Sequence, residues 1–223
     1  IGDIPAAYTA TISSTDIPTG IVDNATVFST LNFPGSVTIT DINVTLDISH
    51  TWDSDLTATL TSPDNTAVTL FSAIGGSSDN FTNTTLDDEA STAISSNAAP
   101  FTGTFRPSSP LSVLDSEDAL GTWTLSITDS VTSDQGTLNG WSIEVTGEIS
   151  LSTVWVDFGN TGTELGLETY PFNTIAEALD TVQTNGNIKF KAGSTVEIAT
   201  INQEVTLTRG SGTGSVILGG TTP

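Results

Sequence analysis

The chain lacks cysteine and methionine altogether and has only four basic residues and one histidine among its 223 residues. Without cysteine there are no disulfide bonds and no thiolate metal sites, and a single histidine does not supply the ligands that zinc prefers. No apolar run approaches the ~20 residues that a transmembrane helix needs, so we expect no membrane insertion. Because methionine is missing also at position 1, we expect Ile1 to begin a processed or excised fragment.

Acidic residues dominate the charge, with 26 Asp and Glu against four Lys and Arg and a formal net charge of −22. Such a chain repels phosphate backbones and anionic lipids, so we expect no nucleic-acid partner. The acidity, the scarcity of lysine and the abundance of Thr, Ser, Asn and Gly suit a bacterial protein that is secreted or held at the cell surface. Adaptation of the surface to a salty habitat is another explanation of the same acidity.

The charge is unevenly distributed along the chain. Residues 1–149 carry 19 acidic residues and a single base, Arg106, whereas residues 150–223 carry seven acidic residues and three bases. We therefore predict two domains with a boundary near Ile149, namely 1–149 and 150–223.

The first domain has the hydrophobic pattern of an all-β protein. "SVTITDINVTLDIS" (36–49) alternates apolar and polar residues with one slip in phase at Asp41-Ile42, which indicates a strand with a bend or bulge. "DLTATLTS" and "AVTLFS" follow around a "PDNT" turn, and "GTWTLSITD" (121–129) and "GTLNGWSIEVTG" (136–147) alternate in the same way. The pattern predicts a β-sandwich or jelly roll, with Trp123 and Trp141 in its core.

The second domain holds one helical pattern, predicted at about 174–184. Thr174 and Glu177 have the spacing of a capping box, and Gly186 is the predicted stop. Three short strands are predicted after it, in "NIKFKAG", "EVTLTRG" and "SVILGG".

Acidic residues also concentrate locally. "SSDNFTNTTLDDEAST" (77–92) contains four acidic residues and no base, and no alternating strand or amphipathic helix is obvious in it. Calcium takes six to eight oxygen ligands in flexible geometry, which long acidic loops supply. Asp53 and Asp55 are two residues apart, so on a strand both would point to one face. We therefore predict calcium ligands among five carboxylates: Asp53, Asp55, Asp79, Asp87 and Asp88.

The alternative for any of these acids is a solvated surface position or a turn capped by its own aspartate. We favour that alternative for Asp115, Glu117, Asp118, Asp129 and Asp134. His50 is expected to have a structural role, because no nucleophile motif accompanies it. Of the four tryptophans, Trp52 beside the acidic pair is the candidate for ligand binding. The fragment is expected not to be an enzyme, with no catalytic residue and calcium as its only cofactor.

Two resemblances add to this interpretation. "INVTLDISHTWDSDLTATLTSPDNTAVTLFS", "PFTGTFRPSSPLS" and "GTWTLSITDSVTSDQGTLNGWSIEVTG", within about residues 10–148, resemble the P domain (P/Homo B domain) of proprotein convertases. The resemblance implies a jelly-roll β-sandwich that lies behind a protease domain, stabilises it and is not itself catalytic. Such domains also occur in secreted bacterial proteins that are not proteases.

The second resemblance concerns "VWVDFGNTGTE" and "YPFNTIAEALDTVQTNGNIKFKAG", which look like the entry to a right-handed parallel β-helix of the pectin-lyase type. There a short amphipathic helix caps the first coil of the solenoid. The sequence ends at Pro223 after two predicted coils, fewer than the three or so repeats that bury a solenoid core.

Three functions follow as alternatives. The first is a calcium-stabilised, non-catalytic structural or interaction module of a larger secreted or cell-surface protein, with neighbouring domains and surface protein or polysaccharide as partners. The second is an accessory domain and β-helix cap of a carbohydrate-active lyase or hydrolase with catalytic residues beyond Pro223. The third is the C-terminal P domain of a subtilisin-like serine protease.

Overall fold

The computed structural model describes residues 6–149, 151–210 and 213–219. The chain divides into two compact units, one formed by Thr11–Gly147 and the other by Ile1–Ala10 together with Glu148–Pro223. The described residues are mainly β, with one short α-helix. None of their helices is both long and apolar enough to cross a membrane.

The larger unit is built from ten strands joined by turns, loops and three short 3-10 segments, with its first and last strands running through the unit boundary. In chain order they are β1 (Ala6–Ser13), β2 (Thr19–Ile21), β3 (Ala25–Phe33), β4 (Thr38–His50), β5 (Leu56–Thr61), β6 (Ala67–Ser72), β7 (Phe81–Leu86), β8 (Phe101–Phe105), β9 (Gly121–Asp129) and β10 (Gly136–Ile149). The 3-10 segments are Asp53–Asp55, Ile94–Ser96 and Leu111–Leu114.

These strands form two sheets. One has the order β1-β10-β4-β7-β8, with β2 also paired to β10, and the other has the order β3-β9-β5-β6. All pairs of the second sheet are antiparallel, whereas β7 and β8 of the first sheet are parallel. Along β4 the buried positions shift phase at Asp41-Ile42, as the sequence predicts.

Strand β7 corrects one sequence expectation. It lies inside the segment 77–92, where the sequence shows no obvious alternation. From Phe81 to Leu86 the side chains are in turn buried, exposed, exposed, buried, half-buried and buried. Asn83 adopts a positive φ of 46° within the strand, and a residue in that conformation interrupts the regular pleat. The alternating pattern is lost from the sequence for this reason, although the strand is present.

The two sheets meet through aromatic side chains that are fully buried. Phe71 of β6 stacks on Phe81 of β7 with ring centroids 4.2 Å apart, and Phe81 stacks on Phe101 at 4.8 Å. Trp123 of β9 is also completely buried and donates its indole N–H to the carbonyl of Ala119 at 2.9 Å. Trp141 is 3% exposed, so both tryptophans predicted to lie in the core do so.

The smaller unit contains parallel strands and the helix. Its further elements are β11 (Leu151–Val156), α1 (Ile175–Thr181), β12 (Val182–Phe190), β13 (Gly193–Thr195), β14 (Thr206–Arg209) and β15 (Val216–Leu218). Strands β11, β12 and β14 form one parallel sheet, and β13 pairs with β15 in parallel. A β-helix that continues from these strands stays a prediction, as does the jelly-roll order of the larger unit.

Helix α1 begins as the sequence predicts and ends earlier. The Thr174 side chain accepts from the Glu177 amide at 3.3 Å, and the Glu177 carboxylate accepts from the Thr174 amide at 3.2 Å. The carboxylate of Glu197 adds two bonds, from the amides of Ile175 (2.8 Å) and Ala176 (2.9 Å). The helix stops at Thr181 rather than near 184, because Val182 is already extended and begins β12.

Candidate functional site

The predicted acidic pair lies in a tight turn between β4 and β5. Residues Asp53–Asp55 form a 3-10 segment, and both aspartates are buried. The amide of Asp53 donates to Ser78 (3.1 Å) and that of Ser54 to Gly76 (3.2 Å), so the turn is fixed to the 75–80 loop. The two carboxylates do not share one face of a strand, as the sequence analysis expected, because successive residues of a 3-10 helix are rotated by about 120°.

Asp53 is the most unusual side chain of this turn. It is fully buried; its Oδ1 accepts from the Asn80 amide at 3.0 Å, while its buried Oδ2 has no hydrogen-bond partner among the described residues. Burial raises the pKa of Asp53 to about 6, against the lowering effects of the Asn80 amide and of His50, and the charge of Asp79 raises it further. A buried carboxylate oxygen without a donor is destabilising unless a cation or proton satisfies it.

Gly75 makes the close packing over Asp53 possible. Its φ is +88°, and a Cβ at this position would lie 2.8 Å from Cβ of Asp53 and 3.0 Å from the Phe101 ring. A glycine both adopts this backbone conformation without strain and leaves the space that the aspartate occupies. The loop therefore encloses the Asp53 side chain.

Asp55 lies in a different acidic neighbourhood. It is 7% exposed, and burial raises its pKa first, followed by the negative charges of Asp129, Asp134 and Asp23, while His50 opposes them. Asp23 contributes a second buried oxygen, Oδ1, for which the described part of the chain offers no donor. The Oδ2 atom of Asp23 accepts from the Ser133 amide at 2.8 Å, which fixes the side chain in place.

His50 connects the two neighbourhoods. Its Nε2 lies 3.3 Å from Oδ2 of Asp129, with both side chains inaccessible to solvent. Its Nδ1 lies 3.0 Å from the carbonyl oxygen and 3.2 Å from the amide nitrogen of Trp52. A ring protonated on Nδ1 donates to that carbonyl, and a ring protonated on Nε2 donates to Asp129 and accepts from the backbone amide. The structural role expected of His50 agrees with these contacts.

The remaining predicted ligands are divided between the two ends of β7. Asp79 precedes the strand and is exposed; Asp87 and Asp88 follow it. Six extended residues span roughly 20 Å, so the structure does not bring Asp79 together with Asp87 and Asp88. Both oxygens of Asp88 accept from backbone amides, of Leu111 (3.0 Å) and Ser112 (2.9 Å), and Oδ1 of Asp87 accepts from the Glu89 amide at 2.7 Å.

Most of the acids that were expected to cap turns accept hydrogen bonds near turns and strand ends. Asp118 accepts from the amides of Val37 (3.1 Å) and Leu120 (3.0 Å), Asp129 accepts from that of Val131 (3.0 Å), and Asp134 accepts from the Thr51 hydroxyl (2.9 Å). Glu117 accepts from the Thr66 hydroxyl at 2.5 Å. Within residues 6–149, 151–210 and 213–219, no group of three or more His, Asp or Glu side chains is placed to hold a metal ion.

Three contributors to this site were missed by sequence reasoning: Asp129 as the partner of His50, Asn80 as the cap of Asp53, and Gly75. The pairing of His50 with Asp129 joins residues 79 positions apart, and no local pattern indicates it. Asn80 and Gly75 lie in the "GGSSDN" loop, where the consecutive glycines were a usable signal of an unusual backbone.

Comparison with known proteins gives one sequence match and several distant structural ones. Residues 39–145 match the model of the proprotein convertase P-domain. No curated protein matches the chain.

The solved structures to which the chain is similar include the serine protease of Aeromonas sobria. The protease in complex with a chaperone is 20% identical, with a TM-score of 0.44, and the match covers 66% of this chain and 28% of that chain. The protease alone is 21% identical, with a TM-score of 0.42 over 65% of this chain and 28% of that one. A family two carbohydrate esterase from Cellvibrio japonicus is 13% identical, with a TM-score of 0.20, and the match covers 83% of this chain and 52% of that chain.

The chain thus spans 28% of the length of the Aeromonas protease chains. The sequence match is independent of these structural comparisons and falls inside the larger unit, Thr11–Gly147. It shows that residues 39–145 are similar in sequence to the proprotein convertase P-domain.

Proposed function

We propose that residues 1–149 form a non-catalytic structural and interaction module of a larger secreted or cell-surface bacterial protein, and that calcium stabilises this module at the Asp53–Asp55 turn. The observation that carries the calcium proposal is the buried Oδ2 of Asp53, which lacks a hydrogen-bond partner among the described residues. The match to the P-domain, a domain that is not catalytic in convertases, supports the structural role.

The chemistry of the turn suits calcium better than a transition metal. Asp53 and Asp79 interact electrostatically, and the 75–80 loop offers side-chain and carbonyl oxygens. Calcium accepts such mixed sets of carboxylate, amide, carbonyl and water oxygens. Since no group of three acidic or histidine side chains is placed around one point in the described residues, carbonyls and water would complete the coordination sphere.

The proposal retains Asp53 and Asp79 of the five predicted ligands as ligands of this ion. Asp55 belongs to the second acidic neighbourhood, where three other aspartates raise its pKa, and adds negative charge to the turn. Asp87 and Asp88 are left out, because their hydrogen bonds to backbone amides account for their positions without a metal.

The test is thermal unfolding of the whole chain in chelator, in 1 mM CaCl₂, and in NaCl at matched ionic strength. A ligand at 100 times its Kd adds about 2.7 kcal/mol, so the midpoint should rise by several degrees in calcium alone. Asp53→Asn should abolish the calcium shift. Asp64→Asn, at an exposed turn position with the same loss of charge, should retain it. Equal shifts in calcium and NaCl would indicate charge screening and refute the site.

A second candidate is favoured by the P-domain match itself: the module accompanies a subtilisin-like serine protease. In that case a catalytic domain is encoded upstream. Mixing or fusing that catalytic domain with this chain should raise the thermal stability of the catalytic domain. An upstream region with no protease domain, and β-helix coils encoded downstream, would instead favour the carbohydrate-active enzyme.

The interaction role has one exposed aromatic candidate. Trp52, adjacent to the acidic turn, is 43% exposed, and an exposed tryptophan ring is a suitable surface for stacking on a sugar or a protein side chain. Quenching of tryptophan fluorescence by cell-surface polysaccharide, lost in Trp52→Ala, would support a role at the cell surface. Binding that is unchanged in the variant would exclude Trp52 from it.

A further inference from the structure

The smaller unit contains a pocket that the calcium proposal does not use. It has a volume of about 210 Å³, and its lining includes Tyr8, Glu164, Phe172, Glu177 and Asp180. Tyr8 comes from β1, Glu164 and Phe172 from the segment between β11 and α1, and the last two from helix α1. All five belong to the unit formed by Ile1–Ala10 and Glu148–Pro223.

Two polar atoms in this pocket lack partners. Tyr8 is 8% exposed, and its buried hydroxyl has no hydrogen-bond partner in the described structure. The same holds for Oε1 of Glu164. Because buried polar atoms are almost always satisfied, their coincidence in one pocket marks a place where a hydrogen-bonding group from outside the chain would be stabilised. The ligand must donate hydrogen bonds, since a carboxylate oxygen only accepts them.

The charge of the pocket is entirely negative. Among the described residues, three carboxylates line it and no lysine, arginine or histidine does. Glu164 and Glu177 are close enough for the negative charge of Glu177 to favour a proton on Glu164. Burial, then the charge of Glu177, raises the pKa of Glu164 to about 7. A cation in the pocket would replace that proton.

The carboxylates are held in position by contacts outside the pocket. The Thr174 amide donates to Glu177 at 3.2 Å as part of the capping box, and Asn160 and the Asn173 amide hydrogen-bond to Glu164. The two acceptors are therefore fixed before a ligand arrives, which reduces the entropic cost of binding.

The shape of the pocket distinguishes between classes of cation. In the described residues no three acidic side chains converge on a metal position, and the cavity is larger than a single metal ion requires. The rings of Tyr8 and Phe172 provide apolar wall, which suits an alkyl chain and the attraction between a cation and an aromatic face.

We propose that this pocket binds a primary alkylammonium group. Its three N–H donors would be shared among the carboxylates of Glu164 and Glu177 and the hydroxyl oxygen of Tyr8, and its carbon chain would lie against Phe172. The same chemistry is offered by a free diamine and by a lysine side chain of another protein. Asp180 contributes negative charge at the pocket wall.

The experiment is isothermal titration of the whole chain at pH 8 and fixed ionic strength with 1,4-diaminobutane and, separately, with Nα-acetyl-lysinamide. Binding of at least one probe is expected, and the tighter of the two identifies the source. Glu164→Gln should weaken amine binding at least tenfold, and Tyr8→Phe should weaken it at least threefold. Glu204→Gln, an exposed acid of the same unit, should leave it unchanged.

Two further measurements on the unaltered chain do not depend on how the variants fold. Tetramethylammonium carries the charge without N–H donors and should bind at least tenfold more weakly than the amines. Amine binding should also strengthen between pH 6 and pH 8, because Glu164, which faces Glu177 and Tyr8, loses its proton there while the amine stays charged. Equal binding of tetramethylammonium, displacement by equimolar CaCl₂, or no binding of either amine would overturn the proposal.

Discussion

Gly75 lies so close to Asp53 that a Cβ atom on residue 75 would stand 2.8 Å from Cβ of the aspartate. Gly75→Ala should therefore destabilise the larger unit for two reasons: the added Cβ would clash with Asp53, and the φ of +88° is strained for alanine. Gly76 also has a positive φ, +62°, but nothing lies within 4 Å of its missing Cβ. Gly76→Ala should cost about 1 kcal/mol of backbone strain, and Gly75→Ala at least about 1 kcal/mol more. Equal unfolding free energies of the two variants in urea would contradict the enclosure of Asp53.

The pH dependence of stability should report Asp53 directly. Its pKa is raised from 3.8 to about 6 in the fold, so the native state retains a proton that the unfolded chain has released between these values. The associated stability is present below pH 4 and is lost as pH rises through 6, by roughly 3 kcal/mol for two pKa units.

Asp53→Asn should flatten this dependence when urea unfolding is measured in chelator from pH 4 to pH 7. At pH 7 without calcium the variant should be the more stable protein, since no buried charge remains. Parallel pH profiles for the variant and the unaltered chain would show that Asp53 titrates normally.

Strand β10 should tolerate a methyl group at one glycine and not at another. A Cβ at Gly136 would lie 2.3 Å from the Ser49 carbonyl oxygen and 2.6 Å from Cδ2 of His50. Gly136→Ala must displace β4 or the imidazole and should destabilise by about 2 kcal/mol or more. Gly140→Ala, whose Cβ would meet only Ile17 at 3.6 Å, should change the unfolding free energy by less than about 0.5 kcal/mol. A similar cost at both positions would show that β10 does not approach His50 this closely.

The capping box of α1 should control local opening of the helix. Thr174→Ala removes the acceptor of the Glu177 amide and should cost about 1 kcal/mol. This corresponds to roughly fivefold faster hydrogen exchange of that amide, measured by NMR. Thr174→Ser keeps the hydroxyl and should exchange at nearly the original rate. Unchanged exchange in Thr174→Ala would mean that Glu197 alone maintains the helix start.

Elements with a regular hydrophobic pattern could be predicted from the sequence, whereas contacts between residues on different strands could not. Strand β9 coincides with "GTWTLSITD" and β5 lies inside "DLTATLTS", because one buried face enforces alternation. The capping box was visible because its two members are three residues apart. Strand β7 was missed, since Asn83 breaks its pleat, and that error made Asp79 and Asp87 look like one cluster. The pairing of His50 with Asp129 depends on how the strands associate, which a local window does not contain.

The central position of β9 in its sheet has a consequence for the order in which the chain folds. Strand β9 pairs with β3, where Ala25 faces Asp129, and with β5, where Leu56 also faces Asp129. Its neighbours are thus separated from it by about 70 to about 100 residues of chain, and such loops close at an entropic cost before any pairing compensates for it. Strand β5 can pair with the adjacent β6 beforehand, but β3 joins them only through β9. The complete sheet is therefore expected to form late and on a timescale of milliseconds to seconds.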